Sequence, residues 1–162
     1  MQIKPNKFIK MKKYLFALLF VFGTTSFVQA QTELDILRKL FQVEKKAALA
    51  DFLQLTDAQN TAFWPMYAEY EEQRAILGQK RIQLIEDYAR NYTSMSPEKA
   101  DELVKQSLSL TKQRAKLRQK YYKKTKKLLG SVKAAAFLQF ENYVDNAVSL
   151  EISNQIPFIG EY

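Results

Sequence analysis

Asn91-Tyr92-Thr93-Ser94-Met95-Ser96-Pro97-Glu98 separates two stretches composed almost wholly of helix-forming residues. Ser96 can cap a helix with its hydroxyl, and Pro97 suits the first helical position, where no amide bond is lost. Glu98 then adds an acid to the positive first turn. A long helix is therefore predicted to begin at Pro97, with residues 91–95 as a short polar connection to the helix before it. So short a connector predicts two antiparallel neighbours.

Upstream, Leu55-Thr56-Asp57-Ala58-Gln59 has the form of a capping box, with Thr56 capping and Gln59 reaching back to the cap residue's amide. It opens a predicted helix over about 57–92 with an apolar face of Phe63, Tyr67, Tyr70, Leu77, Ile82, Leu84, Ile85, Tyr88 and Ala89. Pro65 lies past the first turn, removes the bond to the Thr61 carbonyl and predicts a kink beside Trp64. Downstream of Pro97, Leu103, Leu110, Leu117, Tyr121 and Leu128 form a near-heptad seam that ends where Gly130 offers a left-handed cap.

A helix over about 33–53 carries the stripe Leu34, Leu37, Leu40, Phe41, Ala48 and Phe52. Ser131 can cap another over about 132–154, with Ala136, Phe137, Phe140, Val144, Ala147, Val148 and Ile152 on its inner side. Ile156-Pro157-Phe158-Ile159 is an apolar tail. The expected fold is all-α, a long antiparallel helical hairpin with flanking N- and C-terminal amphipathic helices. At 1.5 Å per residue each hairpin arm is about 50 Å long.

The 162 residues include neither His nor Cys. Thiol nucleophiles, disulfides and thiolate metal sites are excluded, and the usual general base and commonest zinc ligand are missing. Glu71/Glu72 and Glu86/Asp87 are sequence neighbours, which diverge on a helix, so no convergent acid–base pair is visible. An all-carboxylate metal site remains open, without any EF-hand spacing, and phosphate-binding Gly-rich loops are absent from the sequence. The expectation is no enzyme, no cofactor and no metal.

Lys4, Lys7, Lys10, Lys12 and Lys13 precede an apolar run from Tyr14 to Phe22, and Val28-Gln29-Ala30 supplies small residues before Gln31. This reads as a signal peptide over 1–30 cleaved between Ala30 and Gln31, leaving residues 31–162 as a single exported all-helical domain. The alternative is an N-terminal helix retained in the core. The start codon is Met1 or Met11. Gln31 in place of Cys leaves no site for lipid attachment there. The leader holds five of the 25 basic residues and none of the 17 acidic ones, so the remainder carries +3 against +8 overall. Basicity therefore gives no ground for nucleic-acid binding.

Residues 112–127 hold nine basic groups and no acid: Lys112, Arg114, Lys116, Arg118, Lys120, Lys123, Lys124, Lys126 and Lys127, with Tyr121 and Tyr122 interleaved. Two readings stand: a solvated helix face, or an electrostatic guide for acidic partners such as polypeptide segments or anionic lipid. The aromatics Trp64, Tyr67, Tyr70, Tyr88, Tyr92, Tyr121 and Tyr122 are either a core seam or a half-wet binding surface. A chain drawn into long helices has too little mass to bury every apolar side chain, so either it forms a homodimer or a groove stays exposed. The candidate partner-binding set is Trp64, Tyr67, Lys112, Arg114, Lys116, Arg118, Lys120, Tyr122, Lys123, Lys124 and Lys127.

With its leader, its helical composition and Leu55-Thr56-x-x-Gln59, the chain resembles the LTxxQ-motif periplasmic proteins of the Spy and CpxP type. Phe63-Trp64-Pro65-x-Tyr67 and Lys133-Ala134-Ala135-Ala136-Phe137-Leu138-Gln139-Phe140-Glu141 look like uncharacterised exported members from Gram-negative bacteria. Leu55, Thr56, Gln59 and Pro65 are the structural motif residues. The resemblance implies a cradle-shaped helical dimer that holds unfolded polypeptides without ATP on a concave, basic, partly apolar surface. Its CpxP side implies an alternative, an envelope-stress regulator that binds the periplasmic domain of a membrane sensor. Two departures stand out: Leu129-Gly130-Ser131-Val132-Lys133 occupies the place of a second Leu-Thr-x-x-Gln, and the His-dependent zinc binding of some relatives is impossible here.

Overall fold

The computed structural model describes the backbone of residues 27–160 and the side chains from residue 39 onward. The predicted leader, up to residue 26, lies outside the described residues, as do the side chains of Ala30, Gln31, Leu34 and Leu37. The protein is all-α. Helix α1 spans Phe27–Leu53, α2 spans Asp57–Asn91, a 3-10 turn covers Tyr92–Ser94, and α3 spans Pro97–Gln155. No strand occurs among the described residues. Helix α1 begins earlier than the expected residue 33 and runs across the Ala30–Gln31 junction.

The predicted signals act where they were placed. Thr56 Oγ1 accepts from the Gln59 amide at 3.4 Å, and Gln59 Oε1 accepts from the Thr56 amide at 3.2 Å, completing the capping box. Gln59 Oε1 also accepts from Lys133 Nζ at 3.1 Å. Ser96 Oγ accepts from the Lys99 amide at 3.2 Å at the start of α3. Helix α2 continues through Pro65. Gly130 interrupts helical geometry for a single residue, so 97–129 and 131–155 are two helical stretches joined without a loop. Its φ of 82° and ψ of 170° lie in the extended positive-φ region rather than in the left-handed helical region expected for a cap.

The described backbone divides into two compact units, residues 27–55 with 139–157, and residues 56–138 with 158–160. In the first, α1 buries Phe41, Lys45, Ala48, Leu49 and Leu53, while Leu40, placed on the stripe by spacing, is 40% exposed. Lys45 Nζ and Glu141 Oε2 pair at 2.8 Å with both side chains 1% exposed. Phe140 lies next to Phe52, ring centroids 6.0 Å apart.

In the second unit Phe63, Tyr67, Tyr70, Leu103, Leu110, Tyr121, Thr125, Leu129, Ala134 and Phe137 are buried. Leu129 takes the place that the heptad reading gave to Leu128, which is 42% exposed. After Tyr121 the buried line turns around the helix by fours, through Thr125 to Leu129, the last residue before the break at Gly130. Polar side chains pair along α2 and α3: Asp87 with Lys99 at 2.7 Å, Lys80 with Gln113 at 3.4 Å, Gln73 with Tyr121 at 2.8 Å and Glu69 with Lys124 at 2.5 Å.

The two interior glycines should respond oppositely to alanine. An added Cβ meets nothing within 4 Å at Gly78, and its φ needs no glycine, so Gly78→Ala should stabilise by about 0.5–1 kcal/mol. Gly130→Ala forces a side chain into a glycine-only conformation and should cost about 1–3 kcal/mol. Urea unfolding of both variants measures the pair. Lys45→Met leaves Glu141 buried without its partner and should cost about 3–5 kcal/mol, whereas Lys45→Met with Glu141→Leu should recover most of that loss.

Candidate functional site

A helix turns 100° per residue, so Lys112, Lys116, Lys123 and Lys127 lie within about 60° of one another on α3. All four are exposed. Tyr121 is nine residues from Lys112, about half a turn around the helix, and Leu110 lies close to the same side. Both are buried. The lysine stripe therefore occupies the side of the 97–129 stretch opposite its buried seam.

The rest of the basic run divides by position. Lys120 Nζ donates to Gln73 Oε1 at 3.2 Å, and Lys124 Nζ pairs with Glu69 at 2.5 Å. Both ammonium groups also stand over the Tyr121 ring, 5.2 and 4.8 Å from its centroid. These two lysines flank the seam and help close it. Arg114 and Arg118 are half-buried and engaged. Lys126 is exposed and Tyr122 half-buried.

The two aromatics expected beside the run sit elsewhere. Tyr67 is only 4% exposed; its ring stacks on Phe63 at 5.7 Å and meets Phe137 edge-on at 6.3 Å. Trp64 is half-buried, its Nε1 donating to Asn60 Oδ1 at 2.9 Å and its ring set edge-on to Phe63 and Tyr67. Of the two readings of the aromatics, a core seam describes Tyr67, Tyr70 and Tyr121. The apolar companions of the lysines are instead aliphatic. Val104 is 54% and Leu108 66% exposed. Together with Ala115 and Tyr122 they make a row next to the stripe on the same helix. Lys105, exposed and seven residues before Lys112, extends the stripe by two turns. That spacing was the available signal for it.

Charge along the flank perturbs several groups. The bond from Lys124 holds the Glu69 carboxyl below its usual value, and the bond from Lys99 does the same for Asp87. Lys99 is raised in turn by its bonds to Asp87 and Glu102. Glu98 is lowered by its own backbone amide and by Ser96. Burial pushes the Tyr121 hydroxyl up to about 12, with the nearby Glu69 charge adding to the effect.

The arrangement offers a one-signed, partly apolar face suited to weak association with acidic partners. Among the described residues no group of three or more His, Cys, Asp or Glu could hold a metal ion, and no helix is long and apolar enough to cross a membrane. No family model matches the chain, and no curated protein or solved structure is detectably similar to it.

Because Glu69 and Asp87 are depressed in the folded state, their contribution is present above the ordinary carboxylate range and lost as pH falls through the depressed values. The double variant Glu69→Gln with Asp87→Asn should therefore lose less thermal stability than the parent between about pH 6 and about pH 3. Melting curves followed by circular dichroism across that range give the comparison.

Proposed function

We propose that this is an exported, ATP-independent polypeptide-binding protein of the bacterial envelope, non-enzymatic and chaperone-like in action. The observation that carries the reading is the exposed lysine stripe of α3 with Val104 and Leu108 beside it. Positive charge steers an acidic or unfolded segment into encounter, and short-lived apolar contacts then hold it. Such a surface favours rapid exchange over tight binding, as a protein that receives many sequences needs.

In this reading α2 and the 97–129 stretch form an antiparallel hairpin, flanked in the chain by α1 and the 131–155 stretch. The support is the order of side-chain pairs, in which residue numbers fall on α2 as they rise on α3. Homodimer formation belongs to the same proposal, since Ile76, Leu108 and Val132 remain 59%, 66% and 84% exposed. The predicted leader and the LTxxQ resemblance support the periplasmic placement.

Purified protein should suppress aggregation of an unfolding test substrate at low salt and lose most of that effect at high salt. Replacing Lys112, Lys116, Lys123 and Lys127 by Gln should reduce suppression on the order of tenfold while leaving helicity intact. Equal suppression by parent and variant would remove the stripe from the mechanism, and no suppression at any ionic strength would end the proposal. Capture of a single stoichiometric membrane sensor would replace it with the regulator reading.

A further inference from the structure

A groove of about 620 Å³ lies between the second half of α2 and the early part of α3, where it borders the first residue of the lysine stripe, Lys105. Its lining includes Lys80, Arg90 and Lys105, with Asp87 as the one acid. The Asp87 carboxylate is already met by Lys99 at 2.7 Å and by Arg90 at 3.5 Å. Lys105 is exposed with no partner among the described residues, and Lys80 has only a long bond to Gln113, 3.4 Å. The groove thus presents positive charge that nothing around it neutralises.

We propose that this groove binds an extended acidic peptide segment, anchoring part of a bound polypeptide; the proposal rests on the polypeptide-binding reading. Three features fit that occupant. Gln83 and Gln106 amides line the walls; Gln106 Nε2 donates one hydrogen to Glu102 Oε1 at 2.7 Å, which leaves its second N–H and its carbonyl oxygen, so each amide still has a donor and an acceptor for a main chain. Leu84 and Leu110 supply a narrow apolar floor, too small for an acyl chain but sufficient for one side chain. The third is spacing. Lys80 and Arg90 stand about 15 Å apart along α2, with Lys105 across from them on α3. At about 3.3 Å per extended residue, that span suits carboxylates four or five residues apart. The lining side chains come from helix interiors, so the groove has neither the free amides nor the Gly-rich turn of a phosphate site.

The test is fluorescence anisotropy with a labelled Gly/Ser peptide carrying two Glu at that spacing, against the same peptide with Gln in their place. The full-length protein should bind the Glu peptide at least about tenfold more tightly. Lys80→Gln with Lys105→Gln should weaken binding by about tenfold or more. The exposed Ser109→Trp, which fills the groove without changing charge, should do the same. Lys39→Gln with Lys46→Gln removes equal charge from exposed positions of α1 and should change affinity less than about twofold. Circular dichroism verifies that each variant is folded. Equal weakening by the groove pair and the α1 pair, or full binding by Ser109→Trp, overturns the proposal. Peptide binding that fails while parent protein still suppresses aggregation overturns the groove alone, whereas failure of both overturns the polypeptide reading with it.

Discussion

The Tyr121 ring meets Tyr70 at 5.1 Å, takes a hydrogen bond from Gln73 at its hydroxyl and carries two lysine ammonium groups over its face. From Tyr70 the contacts pass to Phe137 at 5.6 Å and to Tyr67 at 6.0 Å, and from those rings to Phe63. Each such pair adds about 0.5–1.5 kcal/mol beyond the area it buries. A thin helical layer has little depth in which to build a core, so wide rings laid along one seam do what several aliphatic layers do in a rounder domain. Once the rings are committed there, whatever the protein binds must meet other side chains.

That constraint explains why the second half of α2 is only half-buried. Phe63, Tyr67 and Tyr70 are sealed near the start of α2, whereas Leu77, Leu84, Ile85 and Tyr88 are half-buried. Helix 131–155 begins at Gly130 and brings Phe137 against the first three rings. Later in α2, Tyr88 pairs with the nearby Tyr92 at 5.8 Å. There the groove lined by Lys80 and Lys105 remains between the helices. The same uneven covering that leaves apolar residues half-wet therefore creates the concavity.

Much of the fold was legible because its signals are local. The Thr56–Gln59 box, the Ser96-Pro97 start and the break at Gly130 each act within one turn of helix, and all three appear where spacing put them. What escaped depends on a partner distant in sequence. Lys45 reads as surface on an amphipathic helix, yet it falls four residues after Phe41 and three before Ala48, squarely on the buried stripe. Glu141 has the same position relative to Phe137 and Val144. Two opposite charges at core phases of two helices were the available sign of their pairing, but neither helix announces it alone. Which face each candidate site residue takes was hidden for a related reason. Tyr67 and Lys112 can be assigned to surfaces only once the phase of each helix is anchored, and spacing alone does not say that the buried line turns from Tyr121 through Thr125 to Leu129.

The basic run is more ordered than its composition implies. Lys120 and Lys124 lie beside the seam, where Gln73, Glu69 and the Tyr121 ring occupy them, and they contribute to closure. Lys112, Lys116, Lys123 and Lys127 have no ion-pair partner among the described residues, on the side of the helix away from its buried half. Like charges about one or two turns apart repel, and a single helix gains nothing in stability by aligning them. In the polypeptide-binding reading proposed above, a transient negatively charged partner is what the alignment serves. At physiological ionic strength the field of such a stripe fades within about 8 Å, so it selects what arrives while doing little to retain it. On that proposal, retention falls to apolar neighbours such as Leu108 and to the groove beside Lys105. A division between capture and holding is what the proposed weak, exchangeable binding requires.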